Sequence, residues 1–183
     1  MGTDFLSLAD LTGGEIVALL DLADDLKRKR DRGEMFRPLE GKTLAMIFEK
    51  PSLRTRVTFE IGIYELGGYG VFYQTRLGER ESVPDIARNL ERWTAAIVAR
   101  TFSHDDVLQL AEYASVPVIN ALTDQEHPCQ ILADAQALRA RKGPLEGLKV
   151  AFVGDGNNVF RSWAHLAARV PIELTLVCPE GYE

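Results

Sequence analysis

Short apolar runs recur along this chain, each followed by a polar break and a longer stretch with helical spacing. That alternation limits the fold more than any other feature. Residues 43–48, 71–73, 95–99, 117–121, 148–153 and 172–177 read as strands. The longer runs are almost wholly apolar, as expected of strands covered on both faces. Helical spacing separates them. Thr12-Gly-Gly-Glu15 has the spacing of a capping box, and Ile16, Leu19, Leu20, Ala23 and Leu26 follow at helical intervals. Ser52 is expected to open a helix running to Leu66 before Gly67-Gly68, Pro84 one to about Trp93, Ser103 one to Ala114, and Pro128 one to about Lys142. Strands alternating with helices imply an α/β fold: a doubly wound parallel sheet with helices on both faces.

Gly143-Pro144 and Gly147 punctuate the chain before a new strand–turn–helix–strand unit. We therefore expect one domain over residues 1–142, a boundary at 143–147, and the start of a second α/β domain over 148–183. The second unit is too short to bury a core of its own, so it reads as the incomplete opening of a longer domain, and the chain as a fragment.

A net charge of -6 argues against a general nucleic-acid role, so a cluster of arginines is a local feature in an acidic protein. Two cysteines, Cys129 and Cys178, make neither a disulfide framework nor a metal-binding CxxC. No apolar run reaches the roughly 20 residues needed to cross a bilayer. The N-terminus lacks a signal-peptide pattern. These features place the chain in the cytoplasm with no membrane partner, and no metal or organic cofactor motif stands out.

In doubly wound sheets, ligands bind beyond the carboxyl ends of the strands. Three loops there carry informative residues. After the first strand comes Ser52-Leu53-Arg54-Thr55-Arg56, two hydroxyls and two guanidiniums in one expected helical turn. A helix start with free N–H groups and added cationic donors suits an anion, most naturally phosphate. The competing reading is a capped helix with surface arginines, and Arg56 is better taken as structural. Arg100 ends the 95–99 strand; it fits either a site or a strand-end salt bridge, and His104 after it reads as an exposed first-turn residue. His127-Pro128-Cys129-Gln130 sets an imidazole and an amide at a Pro-started helix. A neutral histidine there can donate to a carbonyl, while the plainer reading is an N-cap histidine beside a surface glutamine. Cys129 lies too near His127 to form an oriented nucleophile pair. Gly154-Asp-Gly-Asn157-Asn158-Val159 lacks the third glycine of a dinucleotide fingerprint; a tight turn explains it equally well. Trp93 and Trp163 read as core or interface residues.

Taken together, Ser52-x-Arg54-Thr55-Arg56, Arg100-x-x-x-His104 and His127-Pro128-x-Gln130, in that order, resemble the transcarbamylases. Phe48-Glu-Lys-Pro-Ser52, Cys129 and Gly154-Asp-Gly-Asn-Asn158 make the chain most similar to the ornithine carbamoyltransferase branch. The resemblance spans the whole chain and implies a carbamoyl-phosphate domain followed by the opening of an ornithine domain. It implies that Ser52, Leu53, Arg54 and Thr55 hold the phosphate of carbamoyl phosphate. Arg100 would bridge phosphate and carbonyl oxygen, His127 would polarise the carbonyl, Gln130 would hold the carbamoyl NH₂, and Asn158 would contact ornithine. Arg76 stands where the family has a glutamine that reaches a neighbouring subunit's phosphate, so its role is a further expectation. The resemblance also implies no cofactor, a homotrimer formed through the first domain, and a role in arginine biosynthesis. Two alternatives stay open: a non-catalytic phosphate-binding or assembly module, and a transcarbamylase for N-acetylornithine, putrescine or aspartate.

Overall fold

The computed structural model describes residues 4–183. Six strands and six α-helices alternate: α1 (Gly13–Asp31), β1 (Thr43–Phe48), α2 (Arg54–Glu65), β2 (Tyr69–Gln74), α3 (Val83–Leu90), β3 (Ala96–Arg100), α4 (His104–Tyr113), β4 (Val118–Leu122), α5 (Pro128–Lys142), β5 (Lys149–Val153), α6 (Asn158–Ala167) and β6 (Glu173–Val177). They form two compact units. One contains the described residues up to Leu6 and Lys29–Asp124; the other contains Ser7–Arg28 and Gln125–Glu183.

In the first unit a four-stranded parallel sheet runs in the order β2-β1-β3-β4. Both faces are covered, and the side-chain period of two divides the strands between them. Ala45, Ile47, Ile97 and Ala99 pack with Val83, Ala87 and Leu90 of α3 and Val107 and Leu110 of α4. Leu44, Met46, Phe48 and Val98 pack with Ile63 of α2. The sheet is thus doubly wound, as its near-continuous apolar strands imply.

Each helix end has a local cause. The capping box at α1 forms: Thr12 N–H donates to Glu15 Oε2 at 2.8 Å and Glu15 N–H donates to Thr12 Oγ1 at 3.2 Å. Ser82 and Ser103 cap α3 and α4 through their hydroxyls. Gly143 ends α5 at φ 88°, a conformation costly for any side chain with a Cβ.

The expected helix start at Ser52 is displaced. Helix α2 begins at Arg54, with Leu53 in the cap position and no side-chain cap. Pro51 disfavours a helical conformation at Lys50, and the chain needs the two following residues to turn into the helix. Strand β3 gains Arg100, because Phe48 and Arg100 are paired and Glu49 N–H donates to Arg100 C=O at 2.9 Å. Trp93 is 67% exposed and so belongs to no core, whereas Trp163 is buried.

In the second unit, β5 and β6 pair in parallel with α6 between them in sequence. Arg139 of α5 reaches Asp21 and Asp24 of α1, and Gln136 donates to Asp24 Oδ1 at 3.1 Å.

Candidate functional site

The strand order creates a crevice. The chain leaves β1 toward β2 on one side, then returns past β1 to β3 and β4 on the other. The carboxyl ends of β1 and β3 therefore flank the point where the winding direction changes, the usual ligand position in such sheets. The register sets Phe48, Gln74 and Arg100 at one level of that edge. Ser52, Leu53, Arg54 and Thr55 follow β1, Arg76 follows β2, and Arg100 closes β3, so these six candidates share one sheet edge.

Charge pairing divides the described arginines of the chain, and the three at this edge fall among those without an ion pair. Arg30, Arg32, Arg56, Arg88 and Arg139 each meet a carboxylate. Among the described residues, Arg54, Arg76 and Arg100 have no carboxylate partner. Arg100 is half-buried, and its Nε is buried without a hydrogen-bond partner. Burial alone holds the Arg100 guanidinium below its ordinary pKa. An unpaired, partly desolvated guanidinium is costly unless an anion meets it. The strand-end salt bridge that competed for Arg100 does not form. Because no side chain caps α2, its first-turn N–H groups also await an acceptor.

Arg56 is structural, as its sequence context suggests. Its Nε donates to Glu60 Oε1 at 2.9 Å, and its guanidinium stacks 3.7 Å from the Phe72 ring centroid. His104 is half-buried rather than exposed, with its Nδ1 3.0 Å from Thr123 Oγ1 and its N–H donating to Asp124 Oδ1 at 2.9 Å. It ties the loop after β3 to the loop after β4.

Sequence reasoning missed Glu49. Its Oε1 accepts from Leu77 N–H at 2.7 Å and its Oε2 accepts from Phe102 N–H at 2.6 Å. One carboxylate thereby joins the loop that carries Arg76 to the loop that follows Arg100. Lys50 and Arg76 both lie over the Phe102 ring, at 4.4 and 6.0 Å from its centroid. The available signal was a carboxylate directly after the central strand, where the adjacent residues are cationic. Asp106 is pushed above the usual carboxylate range, first by burial and then by the Glu49 and Asp105 charges.

In the second unit His127 occupies the N-cap of α5 with φ -139° and ψ 63°, and its side chain makes no capping bond. Gln130 is exposed, and its Nε2 donates to Asp134 Oδ1 at 2.9 Å. Burial, opposed by that hydrogen bond, raises the Asp134 carboxyl. Burial pushes the Cys129 thiol up to about 12, so it is no nucleophile near neutral pH. Asn157 caps α6, its Oδ1 accepting from Val159 and Phe160 N–H at 2.9 and 3.2 Å. Asn158 follows as the first residue of α6. Among the described residues, no group of three or more His, Cys, Asp or Glu is arranged to hold a metal ion. No described helix is long and apolar enough to cross a membrane.

Comparison with known proteins agrees with this arrangement. Residues 3–140 match the carbamoyl-P binding domain of aspartate/ornithine carbamoyltransferase, and residues 146–183 match its Asp/Orn binding domain. Ornithine carbamoyltransferases of Anoxybacillus flavithermus and Carboxydothermus hydrogenoformans are 50% and 53% identical over the whole chain. The chain spans 59% and 60% of their lengths. The ornithine carbamoyltransferase structure from Pyrococcus furiosus superimposes with a TM-score of 0.98 at 46% identity, covering all of this chain and 59% of that one. The Thermus thermophilus structure gives 0.92 at 46% identity, covering all of this chain and 64% of that one. The chain belongs to the aspartate/ornithine carbamoyltransferase family, and it is most like the ornithine carbamoyltransferases.

Proposed function

We propose that this chain contributes the carbamoyl-phosphate side of an ornithine carbamoyltransferase, which passes the carbamoyl group to the δ-amine of ornithine and releases citrulline and phosphate. The observation that carries this reading is Arg100: a half-buried guanidinium without a carboxylate, at the switch point of the sheet, level with the end of the strand that leads to an uncapped helix start. In this reading Ser52, Leu53, Arg54 and Thr55 bind the phosphate through hydroxyls, N–H groups and one guanidinium, and Arg76 adds a further cation. Arg100 spans the phosphate and the carbonyl oxygen. His127 donates to that oxygen, and Gln130 holds the carbamoyl NH₂ through its amide oxygen. The neutral amine attacks the carbonyl carbon, negative charge develops on the oxygen, and Arg100 and His127 stabilise it. Each such donor contributes roughly 3–4 kcal/mol. The bond from the carbonyl carbon to the phosphate oxygen then breaks, the attacking nitrogen loses one proton to the departing phosphate, and phosphate leaves into a region already rich in donors. Asn158 is assigned to ornithine. The domain reading, carbamoyl-phosphate binding over 1–142, a boundary at 143–147, and an ornithine-binding segment over 148–183, belongs to the same proposal.

Assembly as a homotrimer through the first unit is supported by an exposed apolar stripe. Leu53, Val57, Ile61 and Tyr64 recur at helical spacing along α2 and its cap and are 79%, 39%, 46% and 77% exposed. Tyr69 and Tyr73 of the edge strand β2 are exposed as well. Such a surface suits a second copy of the chain. Placement in the cytoplasm and in arginine biosynthesis rests on composition, two free cysteines and the family.

Titration calorimetry tests the reading. Carbamoyl phosphate is expected to bind the chain, and Arg54→Ala is expected to weaken it by about tenfold to a hundredfold, the worth of one charged hydrogen-bond set. Absence of binding, or unchanged binding in Arg54→Ala, would overturn it.

A further inference from the structure

Glu126 directly precedes His127 and is 4% exposed. A carboxylate at that depth is costly unless its oxygens accept hydrogen bonds, and here they do. Oε1 accepts from Ser7 Oγ at 3.0 Å and lies 2.6 Å from His165 Nδ1. Oε2 accepts from Ser162 Oγ at 2.7 Å. Ser162 sits on α6, fully buried, and its Oγ accepts from the backbone N–H of His127 at 2.9 Å. A hydroxyl carries one proton. Glu126 Oε2 accepts it, so the lone pairs of Ser162 are aimed at His127 N–H. The direction of the chain is fixed from His127 N–H to Ser162 to Glu126.

Both peptide planes that meet at the His127 Cα are therefore restrained. The plane before it is held by Ser162. The plane after it ends in Pro128, which disfavours a helical conformation at His127. Its carbonyl accepts from Gln130 and Ile131 N–H at 3.1 and 3.4 Å. With both planes fixed, the Cα–Cβ direction is fixed, and the imidazole keeps only its own two torsions.

We infer that Ser162 and Glu126 are positioning residues for His127, holding its backbone so that the imidazole meets the carbamoyl carbonyl. This rests on the proposed role of His127. A purely structural network would change stability and leave ligand discrimination alone. A positioning network changes the preference for a carbamoyl ligand over bare phosphate, because phosphate does not require His127.

The test is calorimetry on the 183-residue chain with two probes, inorganic phosphate and the methylene analogue of carbamoyl phosphate. The readout is the ratio of their dissociation constants. His127→Ala sets the full loss of preference. Ser162→Ala is expected to lose about threefold to tenfold of it, with phosphate affinity within about twofold of the parent. The double variant should show no further loss beyond His127→Ala, since the two act as one unit. Glu126→Gln, which disturbs the aim of the Ser162 hydroxyl while keeping its volume, should show a smaller loss and covers the case in which Ser162→Ala does not fold. An unchanged ratio in a folded Ser162→Ala or Glu126→Gln variant, while His127→Ala loses it, overturns the inference alone. An unchanged ratio in His127→Ala overturns the proposed role of His127 and the inference with it.

Discussion

Glu49 bridges two loops with one carboxylate, and its removal is the sharpest test of how the sheet edge is organised. Leu77 N–H and Phe102 N–H each donate to a different oxygen, at 2.7 and 2.6 Å, from 28 and 53 residues away in sequence. Hydrogen bonds to a charged group contribute about 1.5–3 kcal/mol each, and solvent access at the Phe102 side lowers its share. Glu49→Ala strands both donors, and we expect it to cost the first unit about 2–4 kcal/mol. Glu49→Gln is more informative. Its amide oxygen still accepts one bond, but its NH₂ faces the other donor, so one loop is released and about half the loss returns. Urea denaturation followed by circular dichroism reads the stability, and the midpoint should fall in the order parent, Gln, Ala. The same loops carry Arg76 and follow Arg100, so phosphate affinity should fall in that order too. A loss below about 0.5 kcal/mol in Glu49→Ala, the range of ordinary surface substitutions, would refute the clamp.

Three further outcomes are expected. Thr12→Ala breaks the capping box of α1 and should destabilise the chain by about 1 kcal/mol in thermal or chemical melts. Cys129 should resist maleimide at pH 8 in the folded chain and react on unfolding, because burial raises its thiol to about 12 and leaves little thiolate. The Asp24 carboxyl is held below its ordinary value, first by the Gln136 hydrogen bond and then by Arg139. Its folded pKa is depressed, so the stability it contributes is present above the unfolded carboxylate range and is lost as pH falls through the folded value. Arg139→Ala should therefore cost about 1–2 kcal/mol at pH 7 and much less near pH 2 in pH-resolved melts.

The sheet was legible because its signal is local. Each strand of the first unit is an apolar run bounded by turn residues; the caps expected at Thr12 and Ser103 form, and α3, expected to open at Pro84, starts one residue earlier behind a Ser82 cap. The second-unit strands β5 and β6 were found in the same way. What sequence did not reveal depends on contacts far along the chain. Ser52 looked like a cap because serine favours that position, yet the turn after Pro51 moves the helix start to Arg54. His104 looked exposed because it lies in a first turn, but Thr123 and Asp124 meet it there. Glu49 falls within Phe48-Glu-Lys-Pro-Ser52, which speaks to the family and not to the contacts of Glu49, and Glu126 falls in no motif; the partners of each lie at least 28 residues away.

The strand order explains why the candidate residues in the first unit are arginines without carboxylates. Beyond the ends of β1 and β3 the helices diverge to opposite faces, so neither face supplies side chains to fill the gap. Arg56 and Arg88 each find a carboxylate three or four residues along the same helix. At the crevice Glu49 gives both its oxygens to backbone N–H groups. The carboxylate that builds the edge is thereby committed to the backbone of two loops and makes no ion pair with Arg54, Arg76 or Arg100. This makes a direct prediction. Glu49→Ala frees no cation, because none was paired, so the salt dependence of phosphate binding should keep its slope while the affinity falls. If Glu49→Ala instead tightens phosphate binding, its charge opposes the anion more than its hydrogen bonds organise the loops, and the positioning argument fails.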